Sequence, residues 1–191
     1  QAAFVDVGLE RTAFLHARDM VRNDPVTTGN ETPPEPLISN LLRPGDRLIV
    51  QVIKDPLGSK GARLTTNISV PSRFLVLLPD SDVVGVSARI EEEAERARLK
   101  ALVHTLRDRS LGHGYIVRTN AEGVNDFALS ADMAYLGKVW QTISERAGSA
   151  PPATCVFEDL SLPLRALRDM MHEKVDRVRI DSKDVLQKAH E

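Results

Sequence analysis

The chain opens on short runs of apolar residues rather than on long periodic ones. AAFVDV (2–7) and TAFLH (12–16) read as two strands joined by GLER. RNDPVTTGNETPPEP (22–36) carries Pro, Gly, Asn and Thr and reads as a loop. LLRPGD (41–46) is a turn, and RLIVQVIKD (47–55) is the clearest strand of this part. PLGSKG (56–61) reads as a glycine-punctuated hairpin tip, followed by a strand over ARLTTNI (62–68). Short strands, tight turns and one long loop predict a small barrel such as an OB-fold.

The pattern then changes. RFLVLLP (73–79) and VVGVS (83–87) are apolar enough for buried strands. The stretch 88–109 reads as a helix with Ile90, Ala94, Ala97, Val103 and Leu106 near one face. Its acidic start, Glu91 to Glu93, suits a helix N-terminus and needs no functional explanation. GYIVRT (114–119) returns as a strand. A second helix is predicted from Asn125 to Ala147, with Leu129, Met133, Leu136, Trp140 and Ile143 at helical spacing and Gly148 as its stop. Trp140 is therefore assigned to the core rather than to a stacking platform. After the linker SAPPAT (149–154), the end reads helix (161–175), strand (176–182), helix (183–190). The whole is an α+β chain.

Composition narrows the options little. The 191 residues are 42% hydrophobic and 27% charged, which is ordinary for a globular protein. No apolar run approaches the roughly 20 residues that span a bilayer, so no membrane association is expected. The net charge of −2 argues against a uniformly basic nucleic-acid binder, so any such site must be a local patch. One cysteine, Cys155, allows no internal disulfide, and the cytoplasm is the default compartment. The chain begins without Met in strand-like residues and ends in helical ones, so a piece of a longer protein is expected.

Candidate chemistry is sparse. His16, His104, His113, His172 and His190 are scattered, and none stands with Cys or carboxylates at a metal-ligand spacing. No P-loop, GxGxxG or GxSxG occurs. Asp80 and Asp82 sit in a PDSD turn, and Glu158 and Asp159 precede a helix, where acids are common. The residues alone give no catalytic site and no metal site. The tip GSKGAR puts Lys60 and Arg63 beside glycines, where backbone and cation can approach a phosphate together; a solvated tip is the plainer reading. Phe4 and Phe14 lie on adjacent strands; exposed, they would stack on bases, although phenylalanine is more often core. YIVRTNAEG (115–123) ends an apolar strand on Arg118 and Thr119, a planar fork of donors beside a hydroxyl. That pair suits a phosphate, and it equally suits a surface ion pair and a turn cap.

Several stretches together resemble one family. QAAFVDVGLERTAFLHARD, VQVIKDPLGSKGARLTTNISVPSRFLVLLP, GVSARIEEEAERARLK and IVRTNAEG are similar to the ribonuclease E/G family, collinear through essentially the whole chain. KDPLGSKGARLTT and VPSRFLVLLP point to its ribonuclease G branch. The resemblance implies a magnesium-dependent, single-strand-specific endoribonuclease of RNA processing and decay that prefers 5′-monophosphorylated RNA and assembles as a homo-oligomer. It implies that 1–68 is an OB-fold of the ribosomal-protein-S-one type lacking its first strands. It implies further that 69–153 is a 5′-sensor region and 154–191 part of an RNase-H-like subdomain. Phe4, Phe14 and Lys60 match the family's RNA-contacting residues. Arg118 and Thr119 match its terminal-phosphate pair, and Val76 a position in the pocket wall. Ser72 stands where the ribonuclease E branch has glycine, a change that is harmless if the position acts through its backbone N–H. No stretch resembles the DNase-I-like domain that carries the magnesium-binding aspartates, nor the zinc-binding linker. This chain alone is therefore expected to be inactive as a nuclease. A non-catalytic RNA-binding module, or a segment that mainly supports subunit assembly, remains an alternative.

Overall fold

The computed structural model describes residues 1–20, 37–171 and 174–190. The loop expected over 22–36 and the histidine at 172 lie outside the described residues. The described chain forms two compact units, one of residues 1–69 and 142–156, the other of residues 70–141 and 157–191.

The first unit holds a four-stranded sheet of β1 (Ala2–Val5), β2 (Ala13–His16), β3 (Gln51–Lys54) and β4 (Arg63–Thr65), in the order β1-β2-β4-β3. β1 and β2 are antiparallel, β2 and β4 parallel, and β3 and β4 antiparallel with a bulge between Val52 and Lys54. Period-2 alternation sorts the side chains. Ala13, Leu15, Ala62 and Leu64 are buried, and Val5, Val7, Met20, Leu42, Leu48 and Val50 pack on them. A short helix, α1 (Ile38–Leu41), precedes β3. Of the long apolar run 47–55 only Gln51–Lys54 pairs as a strand.

Two glycines shape the β3–β4 turn. Gly58, at φ +58°, takes the first central position of a two-residue turn closed by paired bonds between Leu57 and Lys60, at 3.1 and 3.0 Å. Gly61 lies so close to the Thr12 carbonyl that a Cβ would come within 1.9 Å of its oxygen. Any side chain there would force apart the strands that Phe14 N–H ties to Ala62 O at 2.9 Å.

The second unit holds β5 (Val70–Pro71), β6 (Leu75–Leu78), β7 (Val84–Val86) and β8 (Gly114–Val117), in the order β5-β6-β8-β7, with β7 parallel to β8 and the other pairs antiparallel. α2 (Glu93–Leu106) packs on β7 and β8. Its buried positions are Leu99 and Val103, while Ala94 and Ala97 face solvent. The expected start at residue 88 fails because Ile90 N–H bonds to Ser87 O in a turn, and the Arg96 guanidinium also bonds to Ser87 O. The long helix α3 (Asp126–Ser149) passes beyond Gly148, its residues up to 141 falling in the second unit and those from 142 in the first; Leu129, Met133, Leu136 and Ile143 are buried. Trp140 is half-buried. α4 (Leu162–Met170) packs with α5 (Lys183–His190). The strand expected over 176–182 does not form; these residues pair with no strand among the described residues. No helix among the described residues is long and apolar enough to cross a membrane.

Candidate RNA-binding face and 5′-phosphate site

In the first unit, register sets the face. Phe4 pairs with Phe14 and Phe14 with Arg63, which also pairs with Lys54. Opposed residues share a face, so two aromatics and two cations form one row across the sheet, on the side away from Leu15 and Leu64. Phe4 is 82% exposed and Phe14 half-buried, so neither belongs to the buried core. Lys60 stands exposed at the hairpin tip. Arg63 does not join it there. It lies in β4, where Nε and Nη2 donate to Asp19 at 2.8 and 3.1 Å. That pairing raises its already high pKa.

In the second unit, the end of β8 delivers Arg118 and Thr119 as the sequence suggests. Arg118 N–H completes the ladder to Phe74 O at 2.8 Å, and Thr119 begins a 3-10 turn, Thr119–Ala121. The guanidinium is half-buried and densely bonded on one edge. Nη1 donates to the carbonyls of Ser72 and Arg73 and to Asp169 Oδ1 at 2.9 Å, and Nη2 donates to Asp169 Oδ2 at 2.7 Å. Arg118 first, then Arg168, hold the Asp169 carboxyl well below the usual carboxylate range, against the opposing effect of burial. Arg168 bonds the same carboxylate through Nε at 2.9 Å and reaches Pro71 O at 3.3 Å. Two guanidiniums thus bind the carbonyls of Pro71, Ser72 and Arg73, at the turn between β5 and β6.

The other predicted residues divide by role. Ser72 is 1% exposed; its N–H bonds to Leu75 O at 2.8 Å and its hydroxyl lies against Asp132 and Leu75 O. The Ser72 N–H is therefore occupied within the turn, and what Ser72 presents to Arg118 is its carbonyl. Asp132 of α3 also accepts from the N–H groups of Phe74 and Leu75, at 3.1 and 3.0 Å, fixing this turn. Val76 is half-buried, paired with Ile116 on the face opposite Leu75 and Leu77. The Thr119 hydroxyl has no hydrogen-bond partner among the described residues. Nor has Nε of Arg118, which, unlike Nε of Arg73, is not cut off from solvent. Arg73 lies over the Phe74 ring at 5.0 Å, with its buried Nε unpartnered. Arg73, Asp132, Arg168 and Asp169 were not legible as site residues; Asp169 lies 51 positions from Arg118, and an Arg-Asp pair within a helix carries no signal.

The ribonuclease E/G family model matches residues 69–191. The chain belongs to the ribonuclease E/G family. It is 47% identical to Ribonuclease G of Haemophilus influenzae and of Escherichia coli K12 over 185 residues, 96% of this chain and 37% of each relative. It is 38% identical over 186 residues to Ribonuclease E of a Synechocystis species, covering 95% of this chain and 26% of that protein. The chain thus spans just over a third of the length of the Ribonuclease G relatives. No group of three or more His, Cys, Asp or Glu among the described residues is arranged to hold a metal ion.

Proposed function

We propose that this chain is the RNA-binding and 5′-monophosphate-sensing segment of a ribonuclease G-like endoribonuclease acting in RNA processing and decay. The observation that carries this reading is a pair of unengaged donors at one strand end, Arg118 Nε–H and the Thr119 hydroxyl, beside a turn held by Asp132. A terminal phosphate offers oxygens that accept from such a set, and charge-assisted bonds of this kind are the strong ones. Val76 contributes wall, and Ser72 acts through its carbonyl on Arg118. The row of Phe4, Phe14 and neighbouring cations, with Lys60 at the tip, suits single-stranded RNA, because every base has a face to stack.

The strand order β1-β2-β4-β3 with its single parallel pair supports an OB-fold of the ribosomal-protein-S-one type without its first strands. On this reading 69–153 is the sensor region and 154–191 part of an RNase-H-like subdomain. Hydrolysis with magnesium, zinc binding and homo-oligomer formation belong to the longer parent enzyme, in the cytoplasm.

The test is binding of one A/U-rich oligoribonucleotide carrying either a 5′-monophosphate or a 5′-hydroxyl. The unaltered chain prefers the monophosphate. Arg118→Leu removes that preference, at a loss of about 2–5 kcal/mol, a factor of roughly 30 or more. Equal weakening of both RNAs by this substitution would make Arg118 a scaffold residue and defeat the reading.

A further inference from the structure

We infer that Asp169, on α4, is a positioning residue for the 5′-phosphate: it holds one edge of the Arg118 guanidinium so that the other edge is fixed for the ligand. This rests on the phosphate reading above. A guanidinium has two edges capable of paired bonds, the end edge of Nη1 and Nη2 and the side edge of Nε and Nη2. Asp169 occupies the end edge with bonds of 2.9 and 2.7 Å. The Ser72 and Arg73 carbonyls take the remaining capacity of Nη1. What remains is the side edge, which includes the unpartnered Nε–H.

The turn beside it is fixed by the same residue. Asn120 Nδ2 donates to the Asp169 carbonyl at 3.2 Å, so the residues on both sides of Thr119 are tied to Asp169, one through its carboxylate and one through its backbone. Thr119, between them, keeps its hydroxyl unengaged. A flexible arginine would have to lose its rotamer freedom when the phosphate arrives; here that freedom is already lost. A carboxylate beside an anion site is costly on charge alone. Arg168 offsets part of that, since its Nε and Nη2 bond the same carboxylate; Asp159, 3.9 Å from Arg168, and Asp132 on the adjacent turn add further negative charge nearby.

The two physical effects of Asp169 have opposite signs, which makes the inference testable. Charge alone says that removing Asp169 strengthens phosphate binding. Positioning says that it weakens it, although the chain becomes more positive. The experiment measures affinity of the full chain for the 5′-monophosphate and 5′-hydroxyl forms of one oligoribonucleotide, with the phosphorus NMR shift of the terminal phosphate as a second readout. Asp169→Ala is expected to lower the monophosphate preference by about tenfold, with 5′-hydroxyl binding unchanged and the phosphorus shift moved toward that of free RNA. Asp169→Asn keeps one acceptor and nearly the same shape, so it should fall between the two and serves if the alanine variant does not fold. An unchanged or increased preference in either folded variant overturns the inference while leaving the phosphate reading intact. No preference in the unaltered chain overturns the phosphate reading, and this inference with it.

Discussion

Two arginine–aspartate pairs in this chain use the same chemistry on opposite edges. Arg63 bonds Asp19 through Nε and Nη2, its side edge. Arg118 bonds Asp169 through Nη1 and Nη2, its end edge. The first leaves the far tip of the fork, on an open sheet face beside Phe14. A tip can reach any phosphate along a passing strand. The second leaves the recessed edge, close to its own main chain and to Thr119. A partner there must come close to the backbone, which suits a terminal phosphate with free oxygens and disfavours one esterified on both sides. One ion pair thus fits sequence-tolerant contact along RNA, and the other fits recognition of an end.

After Arg118→Leu, the largest effect that can break this comparison is at Phe4. With Phe4 82% exposed, Phe4→Ala leaves the fold intact, since surface truncations away from packed features stay within about 0.5 kcal/mol. It should weaken RNA binding by about 1–3 kcal/mol, equally for 5′-monophosphate and 5′-hydroxyl forms. Circular dichroism and fluorescence anisotropy on the same preparation check both halves. A change in the 5′-end preference would mean that the aromatic row and the Arg118 site are not separate contacts.

How far each region was legible follows from the range of the forces that make it. Phe4 and Phe14 sit on strands whose two-residue period is local, so strands and hairpin tip could be read from AAFVDV, TAFLH and the Gly58 turn, while the residues alone favoured the core for both phenylalanines and only the resemblance pointed to an RNA-contacting face. Leu129, Met133 and Leu136 were equally readable from their helical spacing. The stretch DRVRIDS carries the same alternation as a strand, yet residues 176–182 make no ladder. Alternation states a preference, while a ladder needs a neighbouring edge, and that is a tertiary fact. The Arg118 site fails for the same reason. Its strand end was legible in YIVRT, but Asp132 and Asp169 come from helices distant in sequence, and nothing in their spacing announces the meeting. Ser72 entered the site only through the resemblance, and its backbone N–H closes a turn on Leu75.

Acid should sharpen the contrast by loosening the second unit. Glu95 accepts from Arg98 and from Gly123 N–H, just past the turn that carries Thr119, and Arg98 first, then Gly123, lower its pKa from 4.5 to about 2. Asp169 is lowered too, chiefly by Arg118. A carboxylate depressed in the folded state contributes stability above its unfolded pKa and loses it as pH falls through the folded value. For Glu95 the contribution is present above about 4.5 and disappears between there and about 2. The size is about 1 kcal/mol, as for a good ion pair that water still reaches. Urea midpoints measured across this window should fall with acid, and Glu95→Gln should flatten the fall. A slope unchanged by Glu95→Gln would remove this residue from the account.

The smallest effect tests the recessed edge most directly. Thr119 is half-buried, and its hydroxyl bonds to nothing among the described residues. Removing it with Thr119→Val keeps shape and deletes one hydrogen bond from a neutral, solvent-reachable donor to the phosphate, a loss of about 0.5–1.5 kcal/mol. Because no bond within the chain is lost, thermal stability should be unchanged or slightly raised. Binding of 5′-hydroxyl RNA should not move, so the monophosphate preference falls by roughly two- to tenfold. The Arg118→Leu background provides the control: with the guanidinium gone, the phosphate has no charged anchor, and the added Thr119→Val change should cost less than it does alone. A full, additive loss in the double variant would mean that Thr119 and Arg118 do not hold the same phosphate, and the pairing of YIVRT's last two side chains would then be local packing rather than a site.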